Sequence, residues 1–396
     1  MKWEIAKLGD ISKNIQTGPF GSQLHQSDYS ECGIPVVMPK DLVGGKISEE
    51  SIARVDKTHV ERLCRHKIEV GDILYSRRGD VGRCAHVTKK EEGWLCGTGC
   101  LRVTIDSEKA DSRFVFFQLQ HPDTVGWVEK HAVGATMLNL NTTILSSVPI
   151  RLPALEIQKR IADILSAYDD LIENNQKQIK LLEEAAQRLY KEWFVDLRFP
   201  GHENTKIVDG VPEGWNEKTL SQVANVIMGQ SPKSEFYNSE KKGLPFHQGV
   251  GSYGVRFVID DIYSTSYTRI AEPNSILFSV RAPVGRLNIT KNKVVIGRGL
   301  AAINQTDGCQ SYLYYLLKNK FFKDNIVGNG AIFASVSKDE LLNQKFLIPE
   351  RNLMMQFEKI VSQMDKQIEN LDSKNKKLIE ARDRLLPKLM SGEVEA

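Results

Sequence analysis

Residues 155–199 read LEIQKRIADILSAYDDLIENNQKQIKLLEEAAQRLYKEWFVDLRF, an uninterrupted amphipathic stretch. Apolar side chains recur at steps of three and four, the period of a helix with one apolar face. Pro153 precedes the stretch and Pro200 follows it, as expected at helix ends. About forty residues make a rod of roughly 60 Å, and its narrow apolar stripe needs a partner. The predicted seam residues are Ile161, Leu165, Tyr168, Ile172, Ile179, Leu182 and Leu189.

The end of the chain supplies a matching helix. Residues 353–386 carry apolar side chains at the same spacing, which predicts a second long helix that packs on the first. Asn175 and Asn375 fall on or near the two seams. A buried pair of this kind would fix the register at a cost in stability, whereas a pair at the edge would meet water. The predicted seam residues of this helix are Phe357, Val361, Met364, Ile368, Leu371, Leu378 and Leu385.

The two halves of the chain resemble each other. Residues 71–83 read GDILYSRRGDVGR and residues 274–286 read NSILFSVRAPVGR. The repeat length of roughly 200 residues is that of a domain, so we predict a globular α+β part followed by a long helix, used twice. The predicted segments are a first globular domain (1–152), a central helix (153–200), a linker with a second globular domain (201–348) and a C-terminal helix (349–396).

The composition does not identify the binding partner, but it indicates the cellular compartment. Among 396 residues, 53 Lys and Arg against 50 Asp and Glu give a net charge of +3, which neither demands nor excludes nucleic acid. No apolar run is long enough for a membrane span, and the first residues lack the apolar core of a signal peptide. We therefore expect a cytoplasmic protein with six reduced cysteines. Cys84, His86, Cys96 and Cys100 match no standard zinc ligand set, so no metal site is predicted.

Catalytic motifs are missing from the sequence. It contains neither the glycine-rich lysine loop that cradles a triphosphate nor a G-x-G-x-x-G turn. The tetrapeptide [DNS]-P-P-[YFW], with which amino-methyltransferases hold an exocyclic amine, is also absent. Pro122-Asp123 and Glu129-Lys130 lack the spacing of a nuclease centre. We therefore predict a chain without a catalytic site and without a bound cofactor.

Two arginine-bearing segments are candidate DNA contacts. Guanidinium forks suit phosphate oxygens and the paired acceptors of guanine, and glycine lets a backbone approach DNA closely. The alternative is that one arginine of each segment packs inside its domain, because a motif present in both repeats is also what a structural role would produce. The candidates are Arg77, Arg78 and Arg83 in the first half, and Arg281 and Arg286 in the second.

Two polar loops add further candidates. Gln can pair with adenine through two hydrogen bonds, and Tyr can stack or bond a phosphate. The alternative for both loops is an ordinary surface turn. The second half contributes His247, Gln248 and Tyr253 together with Lys233, and the first half contributes Gln23, His25 and Tyr29.

Taken together, several segments of the chain resemble the specificity subunits of type I restriction–modification systems. The resemblance rests on Pro153-x4-Gln158-Lys159-Arg160-Ile161-Ala162 with Asp170-Leu171-Ile172-Glu173, on RLYKEWFVDLRFPGHE (188–203) and on DGVPEGW (209–215). In the second half it rests on SVRAPVG (279–285) and IGRGLAAI (296–303). It covers essentially the whole chain, and these segments occur in the family's order.

The resemblance implies a role in host defence. Each globular part would be a target recognition domain that reads one half of a split, asymmetric DNA sequence. The long helices would form an antiparallel coiled coil that sets the unspecified gap. Two modification subunits would bring S-adenosylmethionine and methylate adenine, and restriction subunits would add translocation and cleavage with ATP and Mg²⁺. This chain itself would bind DNA without catalysing a reaction.

Two other functions fit parts of the sequence. One is a coiled-coil scaffold with two adaptor domains that do not bind DNA, and a salt-insensitive association would favour it. The other is a methyltransferase fused to a specificity chain, against which the missing tetrapeptide and the short length argue. Methylation by the isolated chain would identify the second.

Overall fold

The computed structural model of the protein describes residues 3–134, 138–321 and 335–395. The chain divides into two compact units. Unit 1 comprises Met1–Asn175 with Ser373–Ala396, and unit 2 comprises Gln176–Asp372. Both boundaries fall inside the long helices, so each unit combines a globular part with one end of each helix. The predicted division into four consecutive segments does not follow these compact units, because each helix end packs with the globular part beside it.

Unit 1 is built on a four-stranded antiparallel sheet of order β2-β11-β8-β9. A second, mixed sheet has the order β10-β4-β7-β3, in which β10 and β4 are parallel. In addition, β1 pairs with β12. The Asp111 carboxylate caps helix α2 by accepting from the amides of Arg113 and Phe114. The elements are β1 (Glu4–Lys7), β2 (Ser12–Thr17), β3 (Tyr29–Ser30), β4 (Ile34–Val37), β5 (Leu42–Val43), β6 (Lys46–Ile47), β7 (Ala53–Val55), α1 (Lys57–Arg62), β8 (Ile73–Ser76), β9 (Cys84–His86), β10 (Leu95–Cys96), β11 (Cys100–Ile105), α2 (Ser112–Gln120), α3 (Pro122–His131), α4 (Thr142–Ser146), β12 (Pro149–Leu152) and the first part of α5 (Leu155–Phe194).

Unit 2 repeats this arrangement. Its antiparallel sheet has the order β16-β24-β21-β22, its mixed sheet has the order β17-β19-β18-β23-β20, and β15 pairs with β25. The predicted internal repeat is therefore confirmed strand by strand in the antiparallel sheet. The elements are β13 (Ile207–Val208), β14 (Val211–Pro212), β15 (Asn216–Thr219), α6 (Leu220–Val223), β16 (Ala224–Met228), β17 (Tyr237–Asn238), β18 (Leu244–His247), β19 (Tyr263–Ser264), β20 (Ile270–Ala271), β21 (Ile276–Ser279), β22 (Leu287–Ile289), β23 (Val294–Ile296), β24 (Leu300–Gln305), α7 (Gln310–Phe321), α8 (Lys338–Leu342), β25 (Lys345–Ile348) and the first part of α9 (Arg351–Ser391).

In unit 1 the two helix segments run antiparallel. Arg382 of α9 binds Asp169 of α5 at 2.5 Å, while Asn175 donates through Nδ2 to Oδ1 of Asn375 at 2.8 Å. The second amide also donates to the carbonyl of Ile172 at 3.3 Å and is only 7% exposed. The paired asparagines are thus a buried polar contact of the seam, which is the first of the two alternatives that the sequence left open.

In unit 2 the helix segments share the core of the globular part. Phe357 of α9 and Tyr190 and Trp193 of α5 form one buried cluster with Tyr312 of α7. Every predicted seam residue is buried or half-buried. The apolar stripe is therefore covered by the globular core as well as by the other helix, which the helical period alone did not indicate. Within the described residues, no helix is both long and apolar enough to cross a lipid bilayer.

Candidate nucleic-acid interface

The arginine loop of unit 1 connects β8 to β9 and is held by the Ser76 hydroxyl and by the backbone of Leu138. The Ser76 hydroxyl donates to the carbonyl of Arg78 at 3.1 Å, and the Gly79 amide donates to the carbonyl of Leu138 at 3.0 Å. Gly79 has a φ of +75°, a conformation that glycine adopts without strain. The Arg78 side chain is exposed, and its guanidinium has no protein partner in the part of the chain that the structure describes.

The other two arginines of this loop have partners. The guanidinium of Arg77 is half-buried and lies 5.8 Å from the ring centre of Phe20, an exposed aromatic residue. Arg83 is exposed and binds the carboxylate of Asp80 at 2.7 Å. A phosphate that approaches Arg83 would therefore compete with a neighbouring surface carboxylate.

The equivalent loop of unit 2 connects β21 to β22. The Ser279 hydroxyl donates to the carbonyl of Pro283 at 2.6 Å and accepts from the amide of Arg286 at 2.8 Å. Arg281 is exposed, as Arg78 is in unit 1. Neither Arg78 nor Arg281 is therefore the arginine that packs inside its domain, whereas Arg77 is half-buried.

His247 is not placed for the direct DNA contact that the sequence suggested. Its side chain is fully buried, with Nδ1 2.9 Å from the Ser252 hydroxyl and Nε2 3.1 Å from the carboxylate of Asp260. The hydroxyl of Tyr253 is also buried, and burial raises its pKa well above the usual value. The prediction for His247 needs correction, because its side chain holds the loop from inside. Tyr253 is half-buried, and its contact with DNA stays a prediction.

Gln248 and Arg281 are brought together by the fold. Both are exposed and line a cleft of about 200 Å³ with Gly299. Arg286 lines an adjoining cleft of about 390 Å³ that shares Val250 with the first. Two of the predicted second-half residues thus form one surface, and a third lies next to it.

The remaining candidates have local roles. Gln23 is half-buried and accepts from the amide of Phe20 at 3.2 Å, which orders the turn before β3. His25 is exposed and its amide donates to Asp28 at 2.9 Å, while Tyr29 lies half-buried on β3, where burial raises its pKa. Lys233 is exposed and lies 3.9 Å from a surface glutamate. None of these contacts prevents a role in DNA binding.

Two residues with specific positions were missing from the sequence candidates. Arg298 stands exposed in the tight turn between β23 and β24, flanked by two glycines. That pattern of one arginine between glycines was visible in the sequence. Arg256 is buried and binds Glu183 and Asp365, which are distant in sequence. No local signal points to Arg256, since its partners come together only in the folded chain.

Cys84 and Cys96, two of the residues considered as zinc ligands, have buried thiols. Burial raises the pKa of Cys84 and Cys96 to about 12, so both thiols stay protonated at neutral pH. Burial also lowers the pKa of His86 to about 4. Among the described residues, no three His, Cys, Asp or Glu side chains are grouped so as to hold a metal ion.

Comparison with known proteins places the chain in a family. A model described as "Type I restriction modification DNA specificity domain" matches residues 1–184 and 212–381. The chain belongs to this family. The two matches correspond to the two repeats, so the arginine-bearing loops of both units lie within DNA specificity domains.

Relatives match over the full length. A Methanocaldococcus jannaschii protein assigned as the specificity subunit of type I restriction enzyme MjaX is 30% identical, covering 99% of this chain and 93% of its own. The HindI specificity subunit of Haemophilus influenzae is 24% identical, covering 99% of both chains. The crystal structure of a type I S subunit from M. genitalium shares the fold, with 18% identity, a TM-score of 0.64 and coverage of 98% of this chain and 96% of its own. This chain is accordingly a type I specificity subunit, whose role is DNA target recognition.

Proposed function

We propose that this protein recognises a split, asymmetric DNA target and directs partner methyltransferase and restriction subunits to it. The observation that carries the proposal is the pair of units with one scaffold and different exposed side chains. Each unit would read one half-site. Since the two reading surfaces differ within one chain, the two half-sites would differ as well, unlike the palindromic half-sites of a symmetric dimer.

Arginines common to both units would position the DNA. Arg78 and Arg281 occupy equivalent places, and their exposed guanidinium groups have no protein partner in the described residues. A contact used by two domains that read different sequences suits the phosphate backbone, which is the same everywhere. Base reading would then fall to residues that differ between the units.

The chemistry would come from the partners. Two modification subunits would supply S-adenosylmethionine for the methylation of adenine, and restriction subunits would supply ATP-driven translocation and cleavage with Mg²⁺. This chain would select the target site on double-stranded DNA in a prokaryotic cytoplasm. Its sequence lacks the methyltransferase tetrapeptide, which supports a role without catalysis.

The test is a map of methylated adenines. The chain is co-expressed with its cognate modification subunit in a host without DNA methylation, and methylated adenines are located by single-molecule sequencing. We expect a split motif with a fixed unspecified gap. A continuous palindrome would refute the assignment of one half-site to each unit, and methylation by this chain alone would identify a fused methyltransferase.

A binding assay separates DNA recognition from a scaffold role. The affinity of the assembled complex for its mapped target is measured over a range of salt concentrations. We expect affinity to fall steeply as salt rises, since each phosphate contact releases counterions. The double variant Arg78→Ala and Arg281→Ala should reduce the slope of affinity against salt concentration by the amount expected for about two phosphate contacts. The matched control is Lys293→Ala, which removes an exposed lysine paired with Glu272. Binding that is insensitive to salt would support the scaffold.

A further inference from the structure

The turn between β10 and β11 of unit 1 has the same construction as the turn between β23 and β24 of unit 2. In unit 1 the Gly97 amide donates to the carbonyl of Val37 at 2.9 Å, and in unit 2 the Gly297 amide donates to the carbonyl of His247 at 2.8 Å. The approach to the neighbouring glycine is equally close. A Cβ at Gly18 would lie 2.0 Å from the Gly97 oxygen, and a Cβ at Gly229 would lie 2.1 Å from the Gly297 oxygen.

Against this common backbone, two side-chain positions differ in chemistry. At the tip of the turn, unit 1 has Thr98 and unit 2 has Arg298. After the strand that pairs with the turn, unit 1 has Met38 and unit 2 has Gln248. The Thr98 hydroxyl is turned to the protein and donates to the carbonyl of Pro19 at 2.8 Å. The equivalent Arg298 side chain is exposed.

A short chain of hydrogen bonds orients the polar pair of unit 2. The Arg298 amide donates to the hydroxyl of Ser231 at 3.2 Å, and that hydroxyl donates to Oε1 of Gln248 at 3.3 Å. The amide oxygen of Gln248 thus accepts one hydrogen bond from the protein, and its NH2 group remains to donate. The Arg298 guanidinium, which has no protein partner in the described residues, can only donate.

We propose that Arg298 and Gln248 are base-reading residues of unit 2, and that the base read by Arg298 is guanine. The proposal rests on the proposed function, in which unit 2 binds one half-site. The Arg298 guanidinium offers only donors, which match a base edge that offers acceptors, and guanine presents N7 and O6 side by side in the major groove. An arginine fork bonds both atoms at once, which makes the contact specific.

Arg281 has a different role in this arrangement. It lines the same cleft as Gln248, but its equivalent in unit 1 is also an arginine. A residue shared by both units positions the DNA, and a residue that differs distinguishes one sequence from another. The two arginines of unit 2 can therefore be separated by experiment.

The experiment repeats the methylation map with substituted chains in the complete complex. Arg298→Thr and Gln248→Met introduce the residues of unit 1. We expect Arg298→Thr to relax one G·C pair in one half-site, with a loss of discrimination of about 10- to 100-fold, while the other half-site and the gap stay unchanged. Arg281→Thr should weaken methylation of all sites without changing the motif. Lys293→Thr is the control for an exposed cation outside the cleft.

A conservative variant guards against a merely electrostatic effect. Arg298→Lys keeps the positive charge but loses the planar fork, so it should also relax the G·C pair. An unchanged motif in Arg298→Thr, or a uniform loss of methylation that Arg298→Lys restores, would overturn the proposal. A wild-type map without a split motif would instead overturn the proposed function. Equal thermal unfolding of the variants and the wild-type complex shows that each variant folds.

Discussion

Arg256 is the residue whose replacement should most affect unit 2. Only 2% of its side chain is exposed, and it bonds Glu183 of α5 at 3.3 Å and Asp365 of α9 at 2.5 Å. It also donates to the Tyr315 hydroxyl at 3.1 Å and lies 4.3 Å from the ring centre of Tyr314. Arg256→Met leaves two carboxylates without their cation and should lower the free energy of unfolding by about 3–5 kcal/mol. Loss of the cation–π contact with Tyr314 accounts for about 2 kcal/mol of this decrease.

The cost should depend on pH in a defined direction. Burial raises the pKa of Asp365, and the positive charge of Arg256 counteracts this rise. Without the arginine, the folded-state pKa of Asp365 moves further above its unfolded value of about 3.9. The stability contributed by its protonated form is then present at low pH and lost as pH rises through the folded-state pKa. Arg256→Met should therefore be less destabilising near pH 5 than near pH 8.

Urea unfolding followed by circular dichroism at the two pH values measures both effects. Hydrogen exchange of peptides covering residues 249–262 tests whether the loop that carries Arg256 opens more often. The matched control is Lys293→Met, which removes an exposed ion pair and should cost less than about 1 kcal/mol. The double variant with Asp365→Leu should recover part of the loss, because it removes a buried charge. A cost below about 1 kcal/mol, or the same cost at both pH values, would refute the reasoning.

Three further changes address the helices and unit 1. Asn375→Leu leaves the Asn175 amide unpaired and should lower the free energy of unfolding in urea by about 1–3 kcal/mol. Replacing both asparagines with leucine should recover this loss. A double variant that is no more stable than the single one would contradict the prediction. Seven helical residues inserted after Gln176 and after Asp372 lengthen each helix by ~10.5 Å, so the methylation map should show a gap about three base pairs longer with both half-sites unchanged. An unchanged gap would exclude the helices as its determinant. Burial lowers the pKa of His86 to about 4, so up to about 3 kcal/mol of stability should be lost as pH falls from about 6.5 through 4. His86→Gln should therefore show a smaller loss of melting temperature than the wild type over that range. Equal losses in the two proteins would contradict this prediction.

The seam asparagines and Arg256 illustrate two ways of placing polar groups in an apolar interface. Asn175 donates to Asn375, which in turn donates to the carbonyl of Ile172, within the helix pair of unit 1. Arg256 comes from a loop of unit 2 and ties that loop to both helix segments. Lys291, in the turn between β22 and β23, binds Asp372 of α9 at 2.6 Å. Two different loops of unit 2 are therefore joined to the helix segments by buried or half-buried charges.

The sequence alone determined the helices, the repeat and the family. Periodic apolar residues predict helices because burial follows the helical period, and the repeated GDILYSRRGDVGR and NSILFSVRAPVGR segments predict one scaffold used twice. Such signals are local, so they can be read along the chain. The exposure of Arg78 and Arg281 was an open alternative at that stage, because a motif does not specify which way a side chain points.

Only the tertiary structure decided which polar residues reach solvent and which support the fold. His247 and Gln248 are neighbours in sequence, yet the first is buried between Ser252 and Asp260 and the second is exposed. Adjacent residues of a strand face opposite sides, and the contacts that bury one side come from distant parts of the chain. The ion pairs of Arg256 have the same origin. Long-range packing, which leaves no local pattern, thus assigned these residues their roles.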